Sequence, residues 1–378
     1  MPKGRVAVAL SGGVDSSVAA LLLKEAGYEV IGVHMRLWDS PDFDEQAHRA
    51  ENICRILGIP YHEVDLQQEF ERYVVDYFCR EYQQGRTPNP CVACNQHIKF
   101  GLLLDKALSL GADYLATGHY ARVEHSRDGY RLLKAKDTRR DQSYFLYTLT
   151  QEKLGRVLFP LGEHSRDEVK QMAKQAGLPT ATKSSQDICF ISQKNYGAFL
   201  SQRFSTLPGD IVDTQGRKLG QHRGIAFYTI GQRHGLGLAP TSRGQPLYVI
   251  KIEPEHNRIV LGPEKELYSQ RLTAQKLSWI SGQAPREPIT ARAKIRYKSK
   301  EAEATLSPSR QWQPEPFALC HSERSEESRD AWDKLSKGEA IYDVCFTHPQ
   351  KAVTPGQAIV FYNMDEVLGG GIIHQVQK

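Results

Sequence analysis

The stretch RVAVALSGGVDSS, residues 5–17, decides how the first half of this chain folds. Arg5 to Leu10 is a short apolar run of the kind that fills a fully buried parallel strand. Ser16 to Ala26 reads as a helix, with Gly27 placed to end it. Between the two, a pair of glycines lets the backbone turn sharply and come close to a ligand. Free N–H groups and the positive end of the following helix would face that ligand, which suits a phosphate. Hydroxyls of Ser11, Ser16 and Ser17 add donors, and Asp15 would orient Mg2+ or a water in its shell. No lysine precedes the serine pair, so this is not the kinase-type loop in which a lysine reaches the terminal phosphates. A plain Gly-Gly turn with a polar cap is the bland alternative. Its position directly after the first strand, with the serines and Asp15 around it, favours the phosphate site.

Working outward, Glu29 to Met35 is a second apolar strand, and a helix from about Asp44 to Leu57 is closed by Gly58. Tyr61 to Val64 and Tyr114 to Thr117 read as further strands. This βαβ rhythm places the chain in the α/β class, with a doubly wound parallel sheet and ligands at the carboxyl ends of its strands. Further on, Ser165 and Glu168 form a capping box before the helix DEVKQMAKQAGL, which Gly177 can close. Beyond about Arg203 the character changes. Runs such as Leu247 to Ile252 and Arg258 to Leu261 are punctuated by Pro, Gly and Asn turns. The expected layout is a catalytic domain over residues 1–205, a small central domain over 206–272 and a C-terminal β-barrel over 273–378. A charged insertion near residues 308–337 contains HSERSEESRD, residues 321–330, which reads as a solvated loop.

At 378 residues, 40% hydrophobic and 25% charged, the chain has room for two or three domains with cores of their own. A formal net charge of +5 is compatible with a polyanionic partner without requiring one. The N-terminus MPKGRVAVAL has too short an apolar run for a secretory signal, and nothing reaches the roughly 18 apolar residues of a membrane span. A cytoplasmic protein is expected. Seven irregularly spaced cysteines argue against a secreted disulfide framework and point to buried, metal-bound or catalytic thiols.

Two of those cysteines stand in polar segments. Cys94 lies in GRTPNPCVACNQHIKF, a Pro-Asn-Pro loop expected to lead into a helix near His97. A cysteine just before a helix N-terminus sits in positive potential, which favours thiolate. Cys189 lies in SSQDICFI. Both fall at loops that a doubly wound sheet can bring together above one edge. Two thiols of unequal pKa suit persulfide chemistry, one carrying the terminal sulfur and the other attacking to release it. Cys54, Cys79, Cys320 and Cys345 read as small buried hydrophobes.

The loop SGGVDSS resembles the pyrophosphate loop (PP-loop) of the N-type ATP pyrophosphatases, of the adenine nucleotide alpha hydrolase-like fold. These enzymes cleave ATP between the α and β phosphates to form an adenylate. More widely, the strings ALSGGVDSS, GRTPNPC, CNQHIKFG, ATGHYAR, DQSYFL, SQDICFI, YTIGQRHGLG, TPGQAIVFYN and GGGII, in order over nearly the whole chain, resemble the bacterial tRNA-specific 2-thiouridylase family. The resemblance implies ATP-dependent sulfur transfer to C2 of the wobble uridine in tRNAs for Lys, Glu and Gln, with Mg2+. It implies Cys94 as nucleophile and Cys189 as persulfide carrier, with Asp15 catalytic at the phosphate loop. Ala9, Leu10, Ser11, Gly12, Gly13, Val14, Asp15 and Ser16 would hold ATP, with Met35 at the adenine and Gly118 on the nucleotide. Asn89, Pro90, Cys91, His119, Arg140, Asp141, Gln142, Arg296, Tyr297 and Gln357 would meet the tRNA. An upstream persulfide donor, such as a cysteine desulfurase or a sulfur-relay protein, is implied as a partner.

Many members of that family carry Asp where this chain has Cys91, so an acid–base role at that position does not carry over. The resulting Cys91-Val-Ala-Cys94 leaves three readings of Cys91: inert, a redox partner of Cys94, or a ligand with Cys94 and Cys189 of a 4Fe–4S cluster. A structural zinc lacks an evident fourth ligand. Two other function classes compete. An amide-forming ligase with the same loop needs an ammonia source, and no glutaminase domain is recognisable. A non-catalytic RNA-binding protein would not need the phosphate loop beside paired cysteines.

Overall fold

A computed structural model describes residues 3–39, 41–178, 188–191, 195–238, 246–309 and 340–377. The run 321–330, nearly all of the charged insertion, Cys320, and Ser184 to Asp187 ahead of Cys189 lie outside the described residues.

The opening strand, β1 (Arg5–Ala9), pairs in parallel with β2 (Glu29–Arg36), which pairs in parallel with β3 (Tyr61–Asp65). On its other side β1 pairs with β4 (Tyr114–Ala116). A hairpin follows, β5 (Ala121–Ser126) and β6 (Gly129–Lys134), and then β7 (Val157–Leu158), which completes a parallel sheet of order β3-β2-β1-β4-β7. The run in β1 is continuously apolar because both faces are covered. Ala7 and Ala9 enter one core with Ile31 and Val33, while Val6, Val8 and Leu10 enter another with Val18 of the helix Val14–Glu25. Strand order reverses at β1 and β4, so a ligand crevice opens where the chain leaves these two strands. The helix Arg166–Gln175 begins with the expected capping box: Glu168 N–H donates to Ser165 Oγ at 3.3 Å and Ser165 N–H to Glu168 Oε2 at 2.7 Å.

The helix carrying Cys94 does not start near His97. It starts at Pro90, runs as α-helix to Ala93, as π-helix over Cys94–Leu103 and again as α-helix over Leu104–Ser109. Pro90 occupies the first helical position, where its missing N–H costs nothing, and Asn89 Oδ1 accepts from Val92 N–H at 3.4 Å. The Pro-Asn-Pro string is therefore a helix start as well as a loop.

The central part is a four-stranded sheet, β8 (Gly209–Val212), β9 (Lys218–His222), β10 (Tyr248–Glu253) and β11 (Arg258–Gly262), in the order β10-β11-β8-β9. The C-terminal strands are β12 (Tyr268–Trp279), β13 (Ile289–Lys294), β14 (Ala302–Pro308), β15 (Tyr342–Lys351), β16 (Ala358–Asn363) and β17 (Glu366–Gln377). They pair antiparallel in the order β12-β15-β14-β13-β16-β17, and a β12–β17 pairing closes them into a six-stranded barrel. β17 also pairs with β6, so the N-terminal hairpin extends the barrel sheet. One buried cluster contains Cys94, Tyr144 and Phe190 together with Ala358, Val360 and Tyr362 of the barrel. Tyr144 Oη donates to the Ala358 carbonyl at 2.7 Å. Gln357 Nε2 donates to the carbonyls of Thr87 and Pro88 at 2.9 and 3.2 Å. The barrel thus braces the segment that presents Cys91 and Cys94.

Candidate active site

The phosphate loop holds itself open through its serines. Ser16 Oγ accepts from Ser11 N–H at 3.2 Å and donates to the Gly13 carbonyl at 3.1 Å, and Ser17 Oγ donates to the same carbonyl at 2.8 Å. Gly12 has φ +71°, and a Cβ there would lie 2.9 Å from the Gln46 carbonyl oxygen and 3.0 Å from Arg49 Cβ. Only glycine fits. Gly118, leaving β4, lies against the loop from the other side: a Cβ there would be 2.8 Å from the backbone carbon of Asp15 and from Ser16 N. Met35 is half-buried at the end of β2 and packs against the core.

Two arginines that sequence reasoning missed stand at this loop. Arg166, the first residue after the cap Ser165, forms an ion pair with Asp15 Oδ1, which also accepts from Tyr120 Oη at 2.9 Å. Arg49 lies against Gly12, and its Nε is buried without a hydrogen-bond partner. A loop without lysine needs cations from elsewhere, which was the available signal. It could not say which arginines. For Mg2+, one or two carboxylates plus substrate phosphates are the usual protein contribution. Asp15 meets that requirement for an ion arriving with ATP.

Cys91 is exposed on the first helical turn, Cys94 is buried, and Cys189 is exposed. Phe190 fixes the Cys189 turn. Its buried ring lies 5.3 Å from those of Phe78 and Phe199, 5.7 Å from Phe70 and 6.1 Å from Trp38. The three thiols share one electrostatic neighbourhood: Cys189 feels Cys94, Cys91 and Lys99, and Cys94 feels Lys99 and Cys91. Burial pushes Cys94 up to about 11; Cys189, pushed up to about 12, and Cys91, also raised, reach solvent at the residue surface while the protein packed around each sulfur desolvates the thiolate. The thiolate expected at a helix N-terminus is therefore not favoured. Desolvation outweighs the helix field because Cys94 sits inside the helix and under protein. Lys99 opposes the rise at all three sulfurs. Its placement follows from the π-helix, whose i→i+5 bonding brings residue 99 about one turn beyond residue 94. Lys99 was legible only as part of a string. Among the described residues no three His, Cys, Asp or Glu side chains are arranged to hold a metal ion. A 4Fe–4S cluster held by three thiolates would draw on Cys91, Cys94 and Cys189, which share one neighbourhood but are not arranged as a metal-holding group among the described residues.

The residues expected to meet RNA divide into two groups. Asn89 is used as the helix cap and Pro90 is buried at its first position. His119 is buried, its Nδ1 2.6 Å from Thr117 Oγ1, and burial holds its pKa well below the ordinary value, leaving a neutral ring. Asp141 is buried and accepts from Ala135 N–H, Ser143 N–H and Ser143 Oγ at 3.1, 3.2 and 2.9 Å. Gln142 Oε1 accepts from Tyr120 N–H at 3.0 Å, and Gln357 braces the Thr87–Pro88 segment. Half-buried are Arg140, next to exposed Arg139, and the segment Arg296–Tyr297 between half-buried Lys294 and exposed Lys298. Arg296 donates to the Lys351 carbonyl at 2.7 Å, and the Tyr297 ring lies 4.5 Å from that of Phe145, tilted by 41°.

Residues 4–193 match the family model described as the tRNA methyl transferase HUP domain, residues 197–263 its PRC-barrel domain, and residues 333–373 the aminomethyltransferase beta-barrel domain. The tRNA-specific 2-thiouridylase of Acetivibrio thermocellus is 44% identical over 391 residues, spanning 99% of this chain and 100% of that protein. That of Carboxydothermus hydrogenoformans is 45% identical over 388 residues, spanning 98% of each. Among solved structures, the U34-tRNA thiolase NcsA from Methanococcus maripaludis with its [4Fe-4S] cluster overlaps at 22% identity with a TM-score of 0.34, covering 53% of this chain and 64% of that one. With such identity maintained from end to end, the chain belongs to the tRNA-specific 2-thiouridylase family.

Proposed function

We propose that this chain activates O2 of a tRNA wobble uridine with ATP and replaces it by sulfur taken from a persulfide on Cys189. The observation that carries the reading is the continuity of the phosphate loop with the thiols. Gly118 packs on Asp15 and Ser16, and the ring of His119, the next residue, lies 5.8 Å from that of Phe100 on the helix that carries Cys94, where Lys99 also acts on His119 and on all three thiols. An adenylate made at the loop is thus formed beside sulfur.

A uracil C2 carbonyl is a poor electrophile. Attack of its O2 on the α-phosphate of ATP breaks the α–β bond, releases pyrophosphate and leaves an AMP ester, which departs readily. The loop N–H groups, with Arg166 and Arg49 beside them, stabilise the charge that develops on the phosphates. Bound Mg2+ would be held by Asp15 and would supply positive charge to the phosphates, and Arg166, the present partner of Asp15, would then be available to the departing pyrophosphate. The terminal sulfur on Cys189 adds at C2, AMP leaves, and the Cys94 thiolate attacks Sγ of Cys189. That last step leaves sulfur on C2 and joins Cys94 to Cys189. The base reaches the site by unstacking from a single-stranded loop, and Tyr297 offers an aromatic face among lysines. The acceptors are the tRNAs for Lys, Glu and Gln, and the sulfur comes from a persulfide-bearing donor protein. Methyl transfer, the word in the first family description, has no counterpart in a phosphate loop coupled to three thiols. Among the described residues no helix is long and apolar enough to cross a membrane.

The test is pyrophosphate release with and without unmodified tRNA, with 2-thiouridine counted by mass spectrometry. Release that requires tRNA and accompanies 2-thiouridine supports the reading. Release driven by a small acid with ammonia would support a ligase, and no release at all would leave an RNA-binding protein.

A further inference from the structure

In the reaction proposed above, each sulfur delivered leaves Cys94 joined to Cys189, and Cys189 must be freed before it can be loaded again. The structure puts a third thiol beside this pair, and the reaction so far gives it no task. Cys91 stands one helical turn before Cys94, exposed where Cys94 is buried. Residues three apart on a helix have Cβ atoms roughly 5–6 Å apart, and a disulfide needs roughly 3.5–4.5 Å, so closure requires a shift of about an ångström or two at a helix start. Both thiols share the field of Lys99, a cation with no carboxylate within ion-pair distance among the described residues.

We propose that Cys91 is the resolving cysteine of this enzyme: it attacks Cys94 in the Cys94–Cys189 disulfide and releases Cys189 for recharging. The inference rests on the sulfur-transfer reading of the site. In the exchange the Cys91 thiolate forms a bond to Sγ of Cys94, the Cys94–Cys189 bond breaks, and Cys189 leaves with the electron pair as a thiolate. No net oxidation accompanies this step. The two-electron oxidation that accompanied sulfur transfer now resides in a Cys91–Cys94 disulfide, which an external dithiol reductant removes at exposed Cys91, supplying two electrons and two protons. Placement gives the relay its direction. A reductant attacking Cys189 instead would leave a mixed disulfide on the residue that has to accept the next sulfur. Attack by Cys91 is intramolecular and leaves that residue free.

The experiment loads the full-length enzyme with persulfide on Cys189, adds ATP and unmodified tRNA without reductant, quenches in acid, alkylates, and maps linkages by peptide mass spectrometry. Expected is a Cys91–Cys94 linkage with Cys189 alkylated in the wild type, and a Cys94–Cys189 linkage in both Cys91→Ser and Cys91→Ala. With sulfur donor and a dithiol protein reductant present, both variants should stall after about one 2-thiouridine per chain while the wild type continues. A wild-type Cys94–Cys189 linkage that persists, or variants that turn over continuously, would overturn the proposal. Absence of 2-thiouridine from the wild type would instead overturn the sulfur-transfer reading, and this inference with it.

Discussion

Replacing Gly118 by alanine places a methyl group 2.8 Å from the Asp15 backbone carbon, 2.8 Å from Ser16 N and 3.1 Å from Asp15 Cβ. Ordinary carbon contacts lie at about 3.5–4.0 Å, so the end of β4 and the phosphate loop must separate by somewhat under an ångström. Two of the three atoms are backbone and cannot rotate aside. Overpacking of this kind costs about 1–3 kcal/mol. The strain falls on the loop whose N–H groups meet the phosphates. At about 1.4 kcal/mol per factor of ten, kcat/KM for ATP should fall roughly 5- to 150-fold. The assay is tRNA-dependent pyrophosphate release at varied ATP. Persulfide loading of Cys189 should survive, because none of the three clashing atoms belongs to the thiol cluster. A Gly118→Ala enzyme within twofold of wild type in kcat/KM for ATP would refute this account of the loop.

Other consequences follow from the same geometry. Cys189→Ser should still release pyrophosphate with tRNA but form no 2-thiouridine, since sulfur delivery follows activation; full thiolation by this variant would remove Cys189 from its role. With Cys94 and Cys189 pushed up to about 11 and 12, the thiolate fraction rises about tenfold per pH unit below those values, so alkylation of both should climb steeply between pH 7 and 9. A flat profile would contradict the burial argument. Lys99→Met removes the cation that opposes the rise, so alkylation and thiolation at pH 8 should slow several-fold and the profile move to higher pH; unchanged alkylation would show that Lys99 does not act on these sulfurs. Gln357→Leu leaves the Thr87 and Pro88 carbonyls without their donor, at a cost of about 1–3 kcal/mol. The melting temperature and kcat should both fall, and an unchanged melting temperature would mean that the barrel does not brace the Cys94 segment.

What was legible in the sequence is local. The run Arg5–Ala9, the two glycines and the serines specify a buried strand and a phosphate turn within thirteen residues, and β2 follows from an apolar run after Gly27. The Ser165–Glu168 cap was equally readable. The Cys94 helix starts earlier than a Pro-Asn-Pro loop implies, because Asn89 as cap and Pro90 at the first position are also a helix-start signal. What could not be read depends on segments far apart in the chain. Cys94 is raised rather than activated because distant elements bury it. Arg166 reaches Asp15 across 151 positions, and Gln357 reaches Thr87 across 270. The resemblance implies RNA contacts at Asp141, Gln142 and Gln357; in the fold the Asp141 carboxylate, Gln142 Oε1 and Gln357 Nε2 each have a partner within the chain. Barrel closure by β12 and β17, and the joining of β6 to it, are likewise pairings that no short pattern encodes.

The central claim is that sulfur reaches the uridine through the thiols of this chain, after activation at the phosphate loop. The most direct measurement is anaerobic purification with iron and acid-labile sulfide analysis, coupled to 2-thiouridine formation on unmodified tRNA for Glu. The account predicts thiolation by iron-free enzyme in proportion to persulfide on Cys189. Thiolation that tracks stoichiometric iron and sulfide, and vanishes when they are removed, would contradict it and make Cys91, Cys94 and Cys189 cluster ligands.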